Sequence, residues 1–112
     1  MNSADFIEQK TIEQFLGRFK KVKKDYRFGK GIAVYSVSDA IFAVLVEGSK
    51  PVQLSLLCNP ELAKSLRERY ESVMPAERLN PNKWNTILLS GQLTKLEVDD
   101  LIFHSYQIAS SG

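Results

Sequence analysis

The chain has one cysteine, one histidine and one tryptophan in 112 residues, and each scarcity removes a class of explanation. A lone thiol, Cys58, has no partner for an internal disulfide, so the fold must be held by its own core. A lone histidine, His104, has no second His or Cys at a ligand spacing, which argues against a zinc site. No apolar run approaches the roughly 18 residues a spanning helix needs, and no basic-then-apolar stretch marks a secretory leader. The expectation is a reducing, cytoplasmic setting without membrane contact. No nucleophile with its base, metal set or cofactor motif can be assembled, so no enzyme and no cofactor are expected. No repeat, low-complexity run or linker divides the chain, and residues 1–112 read as one domain.

What is present is ordinary globular material. Hydrophobic residues make up 44% and charged residues 25%, and a chain of this length buries roughly 65% of its unfolded surface, enough for one core. The net charge of +2 decides little, but its distribution is uneven. Seven of the fifteen Lys and Arg (Arg18, Lys20, Lys21, Lys23, Lys24, Arg27 and Lys30) fall between positions 18 and 30, against one acid, Asp25. Two readings apply: an edge strand kept soluble by lysine, or a surface for nucleic-acid phosphates.

Periodicity supplies the elements. Ile12, Phe15, Leu16 and Phe19 share one face of a helix expected over Ser3–Leu16, capped by Asn2 or Ser3 and ended at Gly17. The alternation Lys21-Val22-Lys23 suggests a short edge strand. Ile32–Val37, Ile41–Val46 and Val52–Leu57 are rich in β-branched and aromatic residues and are separated by Ser38-Asp39 and Gly48-Ser49, which predicts three antiparallel strands with the middle one covered on both faces. Asn59-Pro60 begins a second helix with Leu62, Ala63, Leu66 and Tyr70 inward. After a break at Met74-Pro75, strands are expected at Ala76–Leu79 and Trp84–Leu89. Thr94-Lys95-Leu96-Glu97 is a capping box opening the last helix, whose stripe is Val98, Leu101, Ile102, Ser105, Tyr106 and Ala109.

The order α-β(3)-α-β(2)-α implies an α+β fold, an antiparallel sheet packed by helices. Asp25-Tyr26-Arg27-Phe28-Gly29, Ile41-Phe42-Ala43, Leu56 to Ala63, Leu66-Arg67, Asn80, Trp84-Asn85-Thr86 and Ser105-Tyr106 together resemble the MmcQ/YjbR family from about residue 20 to 109. The resemblance implies a YjbR-like fold, similar to type III secretion chaperones and to phage double-wing activators, and it implies DNA binding, because that is how the family is described. The departures concern charge. Arg27 stands where the family usually has proline, and Ala40 and Leu57 stand where lysine is frequent. Any DNA surface is therefore expected at Arg18, Lys20, Lys21, Lys23, Lys24, Arg27 and Lys30, before the tryptophan turn, with hairpin tips near Ser38-Asp39 or Gly48-Ser49-Lys50 as wings.

The remaining residues each have two readings. Trp84 is either a packing anchor or, with Asn82 and Lys83, part of an interaction surface. Cys58, just before a helix start, is either a buried structural thiol or one acidified by the helix N-terminus. His104 is expected on the surface beside Asp100. Asp99 and Asp100 point about 100° apart and do not converge on a substrate. Gly29-Lys30-Gly31 leads into a strand, so it is no phosphate loop. Two functions follow: a small DNA-binding protein with weak, phosphate-directed binding, or a non-enzymatic protein-interaction or chaperone-like module using a sheet face near Trp84. Oligomeric state is not legible.

Overall fold

Ser38 (φ 51°) and Asp39 (φ 65°) hold both central positions of the turn joining Val37 to Ala40 in left-handed backbone. This is the two-residue hairpin turn whose twist matches its strands. The computed structural model of the chain describes residues 6–111 and extends that hairpin into a six-stranded antiparallel sheet. The elements are α1 (Gln9–Leu16), β1 (Lys23–Asp25), β2 (Ile32–Val37), β3 (Ala40–Val46), β4 (Gln53–Leu57), α2 (Pro60–Arg69), β5 (Val73–Pro75), β6 (Trp84–Leu88) and α3 (Lys95–Ser111). Across the sheet the strands run β1-β2-β3-β4-β6-β5. This is the expected α+β fold, with the short basic strand β1 added at one edge.

All three helices lie on one side. Ile12 and Leu16 from α1, Ala63 and Leu66 from α2, and Val98, Ile102 and Ala109 from α3 share a core with Tyr35, Phe42, Leu45, Leu54 and Ile87 from the strands. A β-bulge enlarges the sheet's share of that core. Tyr35 pairs with Ala43 and Ser36 with Ile41, which leaves Phe42 as the extra residue. The bulge lets Phe42 and Ala43 both join the helix-side core, each fully buried. The opposite face has a smaller cluster, Val34, Val44, Ala76 and Trp84, with no helical member.

Several boundaries differ from expectation. Helix α1 begins at Gln9, and Glu8 at its N-cap makes no side-chain cap; Asn2 and Ser3 lie outside the described residues. The basic edge strand starts at Lys23 because Lys21 takes a left-handed turn (φ 62°). The strand expected at Ala76–Leu79 is instead Val73–Pro75, which pairs with Ile87, Thr86 and Asn85. Met74-Pro75 does not break it, because β5 is an edge strand, where a proline need not donate to the ladder. Residues 76–83 are freed to cross the helix-free face, where Ala76 and Leu79 pack beside Trp84.

Polar pins fix the helices. Asn59 caps α2, its Oδ1 accepting from the Glu61 and Leu62 N–H groups. Thr94 and Glu97 close their capping box reciprocally, at 2.8 and 3.2 Å. Ser105, fully buried, donates to the Leu57 carbonyl and ties α3 to the end of β4. The Tyr106 hydroxyl reaches the Lys20 carbonyl at 2.9 Å. Asn85, 1% exposed, donates to the Ala63 carbonyl at 3.0 Å and accepts from Arg67 at 2.8 Å. Asn85→Ala strands both partners and is expected to lower unfolding free energy by about 1–3 kcal/mol. Asn59→Ala, which removes only an exposed cap, is expected to cost about 1 kcal/mol. Urea denaturation of the two variants measures the difference.

Candidate nucleic-acid interface

The basic segment runs from the end of α1, around a turn, along β1 and into the turn before β2. Arg18, Lys20, Lys21, Lys23, Lys24, Arg27 and Lys30 are all exposed. Strand alternation divides two of them between the faces of the sheet. Lys23 pairs with Ser36 and so shares the helix-free side, while Lys24 pairs with Tyr35 and shares the helix side. Lys24 sits 5.7 Å from the Tyr26 ring centre and 6.0 Å from that of Tyr35. Its pKa is held above the ordinary lysine value, first by the Tyr26 hydroxyl, so its charge is secure.

Arg27 differs from its neighbours. Its Nε and Nη2 grip the Asp25 carboxylate in a fork, with contacts of 2.9 and 2.6 Å. This bonding from the guanidinium, with the Arg27 backbone N–H adding to it, holds Asp25 at about 2. Arg27 is thus already compensated. Among the described residues, the other six cations of the segment make no ion pair.

The tryptophan turn behaves differently. Trp84 is 7% exposed and packs against Val34, Val44 and Ala76, so it is the packing anchor and offers little accessible surface. Asn82 and Lys83 remain exposed beside it. Arg67 holds this turn to α2 through the Pro81 carbonyl at 3.2 Å. Cys58 is the buried structural thiol: burial pushes it up to about 11, outweighing the Arg67 charge and the Asn59 N–H. His104 is not a free surface side chain. It is half-buried, and its Nε2 accepts the Asn59 N–H at 3.2 Å. Among the described residues no group of three His, Cys, Asp or Glu side chains is placed to hold a metal ion, and no helix is long and apolar enough to cross a membrane.

Sequence reasoning missed a groove on the helix-free face. Phe28 and Ile32 line one side, Val44, Val46, Gln53, Ser55, Thr86 and Leu88 the floor, and Met74 to Leu79 the other side, around about 460 Å³. Ser55 and Thr86 bond each other across its floor at 2.8 Å. The alternation of floor residues with core residues along β3, β4 and β6 was the available signal. The crossing of 76–83 that walls the groove had none.

The family model YjbR matches residues 17–108. The Escherichia coli K12 protein YjbR is 37% identical over 73 residues, 65% of this chain and 62% of that protein, so the match spans a little under two thirds of the relative's length. The crystal structure of the Deinococcus radiodurans protein DR2400, with its DUF419 domain, superposes with a TM-score of 0.86 at 21% identity, covering 93% of this chain and 79% of that one. A Pseudomonas syringae protein superposes at 0.77 and 27% identity, over 92% and 99% of the two chains. Both have this fold.

Two measurements check the electrostatics. Because Asp25 is depressed in the folded state, its contribution is present above the ordinary aspartate value and is lost as pH falls through about 2. NMR titration is expected to place the Asp25 midpoint near 2, and Arg27→Ala to return it toward the ordinary value. Cys58 is expected to resist alkylation at neutral pH in the native protein and to react promptly in urea, as a buried thiol does.

Proposed function

The chain belongs to the YjbR family, and with that as premise we propose that it is a non-enzymatic, cytoplasmic DNA-binding protein that holds phosphates through its basic ribbon, weakly and without reading sequence. The observation that carries this reading is the run of six exposed cations, Arg18, Lys20, Lys21, Lys23, Lys24 and Lys30, without ion pairs among the described residues. Uncompensated cations along one exposed edge bind a polyanion by releasing its condensed counterions. Lysines on a flexible stem suit this use, since they supply charge without demanding a fixed geometry. Among the described residues no helix presents a row of Arg, Asn and Gln for the edges of bases, so phosphate contacts dominate and sequence preference is slight.

The groove on the helix-free face supports a second reading, a module that holds a protein partner. Its floor mixes aliphatic side chains with the Ser55–Thr86 hydroxyl pair, and Phe28 on its rim is 42% exposed. Trp84 has no part in either reading.

Fluorescence anisotropy with a labelled mixed-sequence duplex tests the first reading. Binding near micromolar at low salt, with a log–log salt slope of roughly −3 to −5, corresponds to about three to six neutralised phosphates. Combined Lys→Glu changes at Lys20, Lys21, Lys23 and Lys24 are expected to abolish it. If the duplex does not bind even at low salt, the DNA reading fails and partner capture stands in its place.

A further inference from the structure

Beside the basic ribbon lies a column of aromatic rings that the sequence scatters. Phe19 follows α1 in the turn between Arg18 and Lys20, while Phe103 and Tyr106 lie three residues apart on α3. Folded, Phe19 stacks against Tyr106 (centroids 4.6 Å apart, planes at 21°) and against Phe103 (6.1 Å, 16°). The inner end of the column is closed: Tyr106 meets the edge of buried Phe42 at 5.6 Å, and its hydroxyl is engaged by the Lys20 carbonyl. The outer end is open, since Phe103 is 47% exposed. A large aromatic ring left half in water, already supported from behind by a parallel ring, is an unfinished stack.

The charges fit one kind of occupant. Arg18 and Lys20 are the chain neighbours of the stacked Phe19, within about 3.8 Å of it along the backbone, and Lys21 follows; all three are exposed. The one nearby exposed acid on α3, Asp100, is a turn N-terminal to Phe103, on the side away from Tyr106, which leaves the basic turn as the favourable side for an anion. An apolar flat surface with cations on one flank matches a nucleobase with its phosphates, the pairing by which proteins hold unpaired strands. A duplex cannot use it, because its base faces are covered by one another. We propose that Phe103 is a stacking platform for an unpaired base of single-stranded nucleic acid, with Arg18, Lys20 and Lys21 receiving the flanking phosphates. This rests on the nucleic-acid reading above and narrows it from phosphate attraction to strand state.

The test compares labelled probes by fluorescence anisotropy at one low salt concentration: an oligothymidylate of about twelve nucleotides, its oligouridylate counterpart, and a duplex of equal length. The single strand is expected to bind about 5- to 150-fold more tightly than the duplex, the range that one stacked base supplies. Phe103→Ala is expected to remove that advantage while leaving duplex binding unchanged. Phe103→Leu keeps apolar bulk against Phe19 without a flat face and is expected to behave like alanine, whereas Phe103→Trp retains tight binding. Circular dichroism establishes that each variant is folded. The deoxy and ribo probes decide which nucleic acid is preferred, and preference of either over duplex that Phe103→Ala removes supports the platform. Equal binding of single strand and duplex, or a single-strand preference that Phe103→Ala leaves intact, overturns the platform and leaves the phosphate reading standing. Absence of binding by every probe overturns both.

Discussion

Asn85 sits beneath α2 with both ends of its amide engaged, donating to Ala63 and accepting from Arg67. A buried amide of this kind costs several kilocalories per mole if left unpaired and very little when paired, so it permits one placement of the helix and penalises the alternatives. The same Arg67 reaches the Pro81 carbonyl, and the Lys83 carbonyl accepts the Cys58 N–H. One polar contact therefore sets the helix, the turn at 80–83 and the start of β6. Trp84 follows directly, seated on Val34 and Val44, and the stretch from Ala76 to Leu79 is drawn over the helix-free face.

Many of the residues that carry the family resemblance turn out to be fasteners of this kind. Asn59 caps α2, Leu66 and Arg67 anchor it, Asn85 pins it, Ser105 ties α3 to β4, and Tyr106 holds the turn after α1. Each engages a backbone group or a buried neighbour, and none presents a free reactive atom. A motif made of such contacts identifies a fold with confidence in its architecture and carries little information about chemistry. The exposed features are of another kind: a lysine-rich edge, a groove on the helix-free sheet, and the open end of an aromatic column. They depend on the fasteners for position and share a few residues with the resemblance: Arg27 on the edge, Phe28 and Thr86 at the groove, and Tyr106, which closes the column from inside.

Edge placement explains how the basic segment serves two physical demands. A three-residue strand dense in lysine resists pairing with another sheet, and the same cations remain free for phosphates. Among the described residues Arg27 alone of these cations is ion-paired, by Asp25 two residues away. That local fork also shapes the turn before Phe28, since the Arg27 backbone N–H bonds the same carboxylate.

The elements themselves were legible in the chain because they rest on local physics. Runs of β-branched and aromatic residues bounded by turn signals made β2, β3 and β4, Asn59-Pro60 and Thr94 to Glu97 made helix starts, and Ser38-Asp39 made a tight turn; each depends on residues close in sequence. The β5 strand was misplaced by three residues, because a proline is disfavoured in a central strand yet tolerated at an edge, and being at an edge is a property of the sheet. The clustering of cations was visible from composition alone. Their division between two faces, the burial of Trp84, the engagement of His104 at Asn59 and the stacking of Phe19 between Phe103 and Tyr106 were decided only by tertiary structure. They join residues up to 87 apart in the chain, from Phe19 to Tyr106, and no local propensity reports which distant side chains will meet once helices and sheet are packed.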